Sequence, residues 1–125
     1  METNYILKEE CSRIIGACYE VHNQLGHGFL ETVYQEALYW ELIDRKIPFQ
    51  KEKRLNVFYK ERQLQKFYIA DFVCYDQIIL EIKAVEGLCD DHIAQVLNYL
   101  KAIKMRLGLL INFGTARVQV KRVIL

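Results

Sequence analysis

The chain has 125 residues, 52% of them hydrophobic, a formal net charge of +1 and a single proline. That length fits one domain with a core of its own, needing no covalent staples. The near balance of charge excludes a uniformly basic coat and leaves room for a local basic patch.

Met1-Glu2-Thr3-Asn4-Tyr5 has neither a basic start nor an apolar h-region, so no signal peptide is expected. No apolar run reaches membrane-spanning length. The four cysteines stand at 11, 18, 74 and 89 without C-x-x-C spacing. They are read as reduced, structural thiols of a cytoplasmic protein.

Residues 5 to 25 predict a helix, with Ile6, Cys11, Ile14, Ile15, Cys18, Val21 and Leu25 as its apolar stripe. Gly26-His27-Gly28 ends it. A second helix is expected over about 29 to 46, with Leu30, Val33, Tyr34, Ala37, Leu38 and Leu42 inward. Glu31 falls in its first turn, where a carboxylate answers the helix dipole or reaches toward a site. Tyr34 and Gln35 share its face.

A strand over 53 to 59 alternates Leu55, Val57 and Tyr59 against polar partners, and Lys60-Glu61-Arg62-Gln63 makes a polar turn. Lys51, Lys53, Arg54, Lys60, Arg62 and Lys66 crowd this region, as a solvated face or a track for phosphates. Two further strands are expected over 67 to 75 and 78 to 84. Asp90 and Asp91 offer N-cap chemistry for a third helix to about 104, with Ile93, Val96, Leu97, Leu100 and Ile103 as its stripe. His92, Gln95 and Tyr99 form a polar ridge beside that stripe. Residues 107 to 113 read as a buried strand parallel to 78–83, and 118 to 124 as an edge strand. The expected fold class is α/β, a mixed sheet flanked by helices, as one domain over residues 1–125.

The chemistry concentrates where charges interrupt buried strands. Asp71, Glu81 and Lys83 sit in otherwise apolar runs, and an unpaired buried carboxylate costs several kcal/mol, on the order of its desolvation. Glu81 and Lys83 are two apart and share a strand face. Asp71 joins them only in one register. If Tyr75 pairs with Ile78, Asp71 falls opposite Ile82 and faces away; if Cys74 pairs with Ile78, Asp71 falls opposite Glu81. Convergence would make a seat for a hard divalent cation beside an ammonium. The plainer reading is a buried ion pair.

Asp71 followed by Glu81-x-Lys83 resembles the signature of the PD-(D/E)xK nucleases, with Ala70 where the signature has Pro. Gln95-x-x-x-Tyr99 resembles the QxxxY element of the RecB-like and lambda-exonuclease-like branch. Gly28-Phe29-Leu30-Glu31-Thr32-Val33-Tyr34 matches the name motif of the small bacterial GxxExxY family within that superfamily.

The resemblance implies a restriction-endonuclease-like core and a metal-dependent nuclease acting on DNA, favoured over RNA. Asp71 and Glu81 would hold Mg²⁺ or Mn²⁺, with the Ile82 carbonyl and Glu31 adding to the metal shell. Lys83 would orient or activate the attacking water, and Gln95 would position Lys83 or a phosphate. Tyr99, Tyr34, Lys53 and Arg54 are the candidates for substrate contact. A homodimer, with 118–124 as one interface, would help so small a domain enclose duplex DNA. The alternatives are a module of this fold that binds nucleic acid or partners without turnover, and a hydrolase of small phosphodiesters.

Overall fold

The computed structural model describes residues 6–125. The elements run α1 (Lys8–Leu25), α2 (Glu31–Asp44), β1 (Phe49–Tyr59), β2 (Arg62–Cys74), β3 (Ile78–Lys83), α3 (Asp90–Ile103), β4 (Leu107–Asn112) and β5 (Gln119–Ile124). The five strands form one sheet in the order β1-β2-β3-β4-β5. All neighbours are antiparallel except β3 and β4, which are parallel and joined through α3. This is the expected α/β class, with the expected parallel pair and β5 at an edge. Residue 5, the expected start of the first helix, lies outside the described residues.

Two layers of helix cover the sheet. Cys11, Ile14, Ala17, Cys18 and Val21 of α1 and Tyr34, Leu38 and Leu42 of α2 bury against Phe72, Cys74, Ile78, Leu80, Ile82, Leu109 and Ile111. On the other face Val96, Tyr99 and Leu100 of α3 meet Leu55, Ala70, Val73, Ile79, Leu110 and Val123. Strands β3 and β4 are therefore covered on both sides, which is why their sequences are almost continuously apolar. Among the described residues no helix is long and apolar enough to cross a membrane.

Several expectations shift in detail. The first two strands are longer than the alternation suggested and meet at Lys60-Glu61, where Tyr59 pairs with Arg62. A register shift between Asn56 and Phe58 breaks the expected alternation of Leu55, Val57 and Tyr59, and Tyr59 is exposed. Leu30 is the N-cap residue of α2 and is 78% exposed, so the buried stripe of that helix begins at Tyr34. The N-cap of α3 is Cys89, and its N–H donates to His92 Nδ1 at 3.1 Å. Asp90 and Asp91 are first-turn residues instead, acting on the helix dipole. Cys11, Cys18 and Cys74 are buried thiols, whereas Cys89 is exposed; none is in a disulfide.

One irregularity governs the rest. Phe49 and Lys51 of β1 lie toward α2, each against Tyr39. Leu55, with the same parity, lies toward α3. In β2, Phe72 and Cys74 face α1 and α2, while Ala70 and Tyr68 face α3. Strict alternation forbids both assignments. The two strands exchange faces at Glu52 and Asp71. Glu52 has φ 51°, and the ladder skips its pair with Asp71 although the register is the same on both sides. Asp71 thus sits at the point of inversion.

The end of β4 is tied down by a side chain that sequence pattern did not single out. Asn112 is fully buried. Its Oδ1 accepts from Val85 N–H at 2.9 Å and Gly114 N–H at 3.0 Å, while its Nδ2 donates to Val85 O and Gln119 Oε1. Gly114 passes so close to Val85 that an added Cβ would clash with the Val85 carbonyl oxygen. Together these hold the segment that leaves Lys83. Asn112→Ala would strand several buried backbone groups, and the expected loss is about 3 kcal/mol in a urea unfolding titration. A loss below about 0.5 kcal/mol, the level of an ordinary surface substitution, would refute this role.

Candidate active site

The register between β2 and β3 settles the first question raised by the sequence. Cys74 pairs with Ile78, Val73 with Ile79 and Phe72 with Leu80. Three residues, Tyr75-Asp76-Gln77, make the turn, with Tyr75 and Asp76 both at positive φ and Gln77 N–H donating to Cys74 O. That odd length carries Asp71 toward Glu81.

Beyond Phe72 and Leu80 the ladder stops, and carboxylates replace its carbonyl acceptors. Glu81 Oε2 accepts from the Asp71 N–H at 2.6 Å. Asp71 Oδ2 accepts from the Ile82 N–H at 2.8 Å. Each acid is fixed by the opposite strand. Because Asp71 lies where β2 changes face, it looks into the opening between the strands and also toward α2.

Lys83 lies two residues beyond Glu81, and its Nζ donates to Gln95 Oε1 of α3 at 2.9 Å. Tyr99, one turn on, is 8% exposed. Burial first, and then the charges of Glu81 and Asp71, push its hydroxyl up to about 12, so it stays neutral. From the α2 side, Glu31 Oε2 accepts from Gln35 Nε2 at 3.0 Å. Glu31 is close enough that its charge raises both carboxyls, and the nearby Gln35 amide acts to lower Asp71. The structure therefore brings together Asp71, Glu81, Lys83, Gln95, Tyr99 and Glu31, with Gln35 added. Gln35 was legible only as a residue sharing the face of Glu31.

Other candidates lie elsewhere. Tyr34 is fully buried, its ring stacked on Phe113 at 4.8 Å. Its hydroxyl donates to Gly26 O at 2.6 Å and accepts from Phe29 N–H, so it fixes the loop before Glu31 and presents nothing to a substrate. Lys53 pairs with Ala70 and shares the α3 face of the sheet with Leu55. Arg54 is on the reverse face, its guanidinium 3.8 Å from the Phe67 ring centre and its Nε bonded to Asn56. Arg54 is thus on the opposite face from Lys83 and Gln95, the face from which Glu31 and Gln35 approach. His92 caps α3 and does not join Gln95.

The carboxylates suit a hard cation. Glu81 is only 4% exposed. Burial, and next the Asp71 charge, push it up to about 8. Asp71 is raised by burial and by Glu31, partly offset by the Ile82 N–H. Two acids held together against their own repulsion are a favourable seat for a divalent ion, and Mg²⁺ binds through one or two carboxylates with water completing its shell. Asp71 and Glu81 would supply those oxygens. Among the described residues no three acidic, histidine or cysteine side chains form one metal cluster, so Glu31 stands outside direct grouping with the pair.

The model of the PD-(D/E)XK nuclease superfamily matches residues 8–123. No curated protein matches the chain. Among solved structures, the crystal structure of SSO0001 superposes with a TM-score of 0.62 at 16% identity, over 74% of this chain and 50% of that one. The chain thus spans about half the length of that protein, and the likeness is one of fold.

The raised carboxyls carry a sign. An unfolded glutamate loses its proton near 4.5 and the folded Glu81 near 8, so the folded state holds the extra proton between them. Stability therefore falls as pH rises through that window. In chelator, the melting temperature should decline from about pH 4.5 to about pH 8. Glu81→Gln should flatten the decline; an equally steep profile in that variant would contradict the assignment.

Proposed function

Because the chain belongs to the PD-(D/E)XK nuclease superfamily, we propose that it is a Mg²⁺- or Mn²⁺-dependent deoxyribonuclease hydrolysing phosphodiester bonds. The observation that carries this reading is the reciprocal fixing of Asp71 and Glu81 across β2 and β3, with the Lys83–Gln95 pair beside them. Residues 1–125 act as one nuclease-like domain in this reading. The GxxExxY motif at Gly28–Tyr34 and the Gln95–Tyr99 element support a place in the GxxExxY family, in the RecB-like and lambda-exonuclease-like branch.

Asp71 and Glu81 would hold the cation, with the Ile82 carbonyl as a further ligand and Glu31 assisting from outside. The cation would supply Lewis acidity that favours deprotonation of water and offsets charge on the phosphate oxygens. Lys83 orients the attacking water and adds positive charge where the phosphate becomes more negative. Gln95 accepts one of the Lys83 protons and so fixes the ammonium; its amide N–H₂ is left to face a phosphate oxygen. Tyr99 backs Gln95. Gln35 holds Glu31 in place.

Cleavage of linear and circular duplex DNA, single-stranded DNA and RNA should be measured with Mg²⁺ or Mn²⁺ and with chelator. Metal-dependent cleavage that Glu81→Gln abolishes is the expected result, and activity equal in the two proteins would point to a contaminant. Lys83→Ala should reduce turnover by about 10³-fold or more while calorimetry still records metal binding. Gln95→Ala should cost less, about tenfold to a hundredfold, as loss of a supporting contact does. Full activity in Lys83→Ala would refute its role. Absence of both cleavage and metal binding would favour a module of this fold without turnover.

A further inference from the structure

Positive charge is unevenly placed in this molecule. Between residues 51 and 66 the chain carries six lysines and arginines against two glutamates, while the whole chain has a formal charge of only +1. The rest is therefore net acidic. The basic stretch is the long β1–β2 hairpin, most of whose residues from 58 to 67 are exposed.

The face exchange at Glu52 and Asp71 sorts these cations. Lys53 shares the α3 face with Leu55 and Ala70. Lys66, two before Tyr68, joins it there, and its Nζ lies 5.5 Å from the Tyr68 ring centre. The Tyr68 ring is in turn 5.1 Å from the ring of Tyr99. An open groove of about 790 Å³ runs along α3, lined by Tyr68, Gln95, Asn98, Tyr99 and Lys101 among others. A line of side chains thus leads from Lys83 and Gln95 through Tyr99 and Tyr68 to Lys66. Arg54 has been turned to the reverse face and is occupied by Phe67.

We propose that the α3-side face of the β1–β2 hairpin seats the phosphodiester backbone of the substrate away from the reacting phosphate. Lys66 and Lys53 are the phosphate contacts, and Tyr68 is the positioning residue that holds Lys66. The inference rests on the nuclease reading of the adjoining site. Its chemistry is that of a phosphate track: ammonium groups displace condensed counterions, and each contact adds to the salt dependence of binding. A cation held over an aromatic ring loses less freedom when it meets its phosphate.

The test is binding of a labelled mixed-sequence DNA oligonucleotide, single-stranded and duplex, by fluorescence anisotropy in chelator across a salt series. Lys53→Ala with Lys66→Ala should weaken binding by about tenfold or more at low salt and make the salt dependence shallower by about two contacts. Arg54→Ala should cost less than Lys66→Ala alone. Lys121→Ala, at the far edge of the sheet, should leave the salt slope unchanged. Tyr68→Leu should reproduce part of the Lys66 effect and Tyr68→Phe should restore it, which a loss of fold would not do.

Unchanged affinity and slope in the double variant would overturn the proposal. So would an equal loss from Lys121→Ala, or wild-type protein that does not bind the oligonucleotide. Binding is read without turnover, which separates the two readings. Protein that binds through Lys66 yet neither cleaves with Mg²⁺ or Mn²⁺ nor binds the metal refutes the nuclease and leaves the track. Cleavage unaffected by the double variant at low substrate concentration refutes the track and leaves the nuclease.

Discussion

Two hydrogen bonds organise this molecule: Glu81 accepting from the Asp71 backbone, and Asp71 accepting from the Ile82 backbone. They take the place of ladder bonds where β2 and β3 part. A buried carboxylate without such donors would be too costly to keep. With them it is kept, though its proton affinity is raised. The same arrangement that completes the sheet leaves two acids facing one another. Structure and chemistry are joined in one contact, and the site cannot be removed without unpairing backbone.

Around this contact the supports come in from three directions. From one side α2 brings Glu31 and Gln35, and its start is held by Tyr34 against Gly26 and Phe113. From the other, α3 brings Gln95 to Lys83. From the end of β4, Asn112 fastens Val85, and the Lys83 carbonyl accepts from the Phe113 N–H at 2.8 Å. Lys83 is thus restrained through both its side chain and its backbone.

Much of the fold was legible because burial leaves a pattern. The apolar runs of β3 and β4 announced buried strands, and the helical stripes of α1 and α3 were plain. The acids of the site were legible for the opposite reason: Asp71 and Glu81 are charges where none belongs. Their convergence was not legible, since it turned on whether the turn held two residues or three. Tyr34 misled because spacing gives a helix face and not what covers it. Asn112 left no signal, being one polar residue at the end of an apolar strand. Its importance comes from groups it meets across the fold.

The exchange of faces at Glu52 and Asp71 has a consequence for how this hairpin tolerates change in length. Outside the inversion, odd-numbered residues of β1 look one way; inside it, they look the other. A matched insertion of one residue in each strand between the inversion and the tip would keep the pairing, yet it would turn every side chain beyond it to the other side of the sheet. Lys66 would leave the side of α3 as a result. Insertions of two on each strand would only lengthen the arm. Variation among hairpins of this design should therefore come in steps of two per strand, with the acid at the inversion as the fixed origin from which both halves are counted.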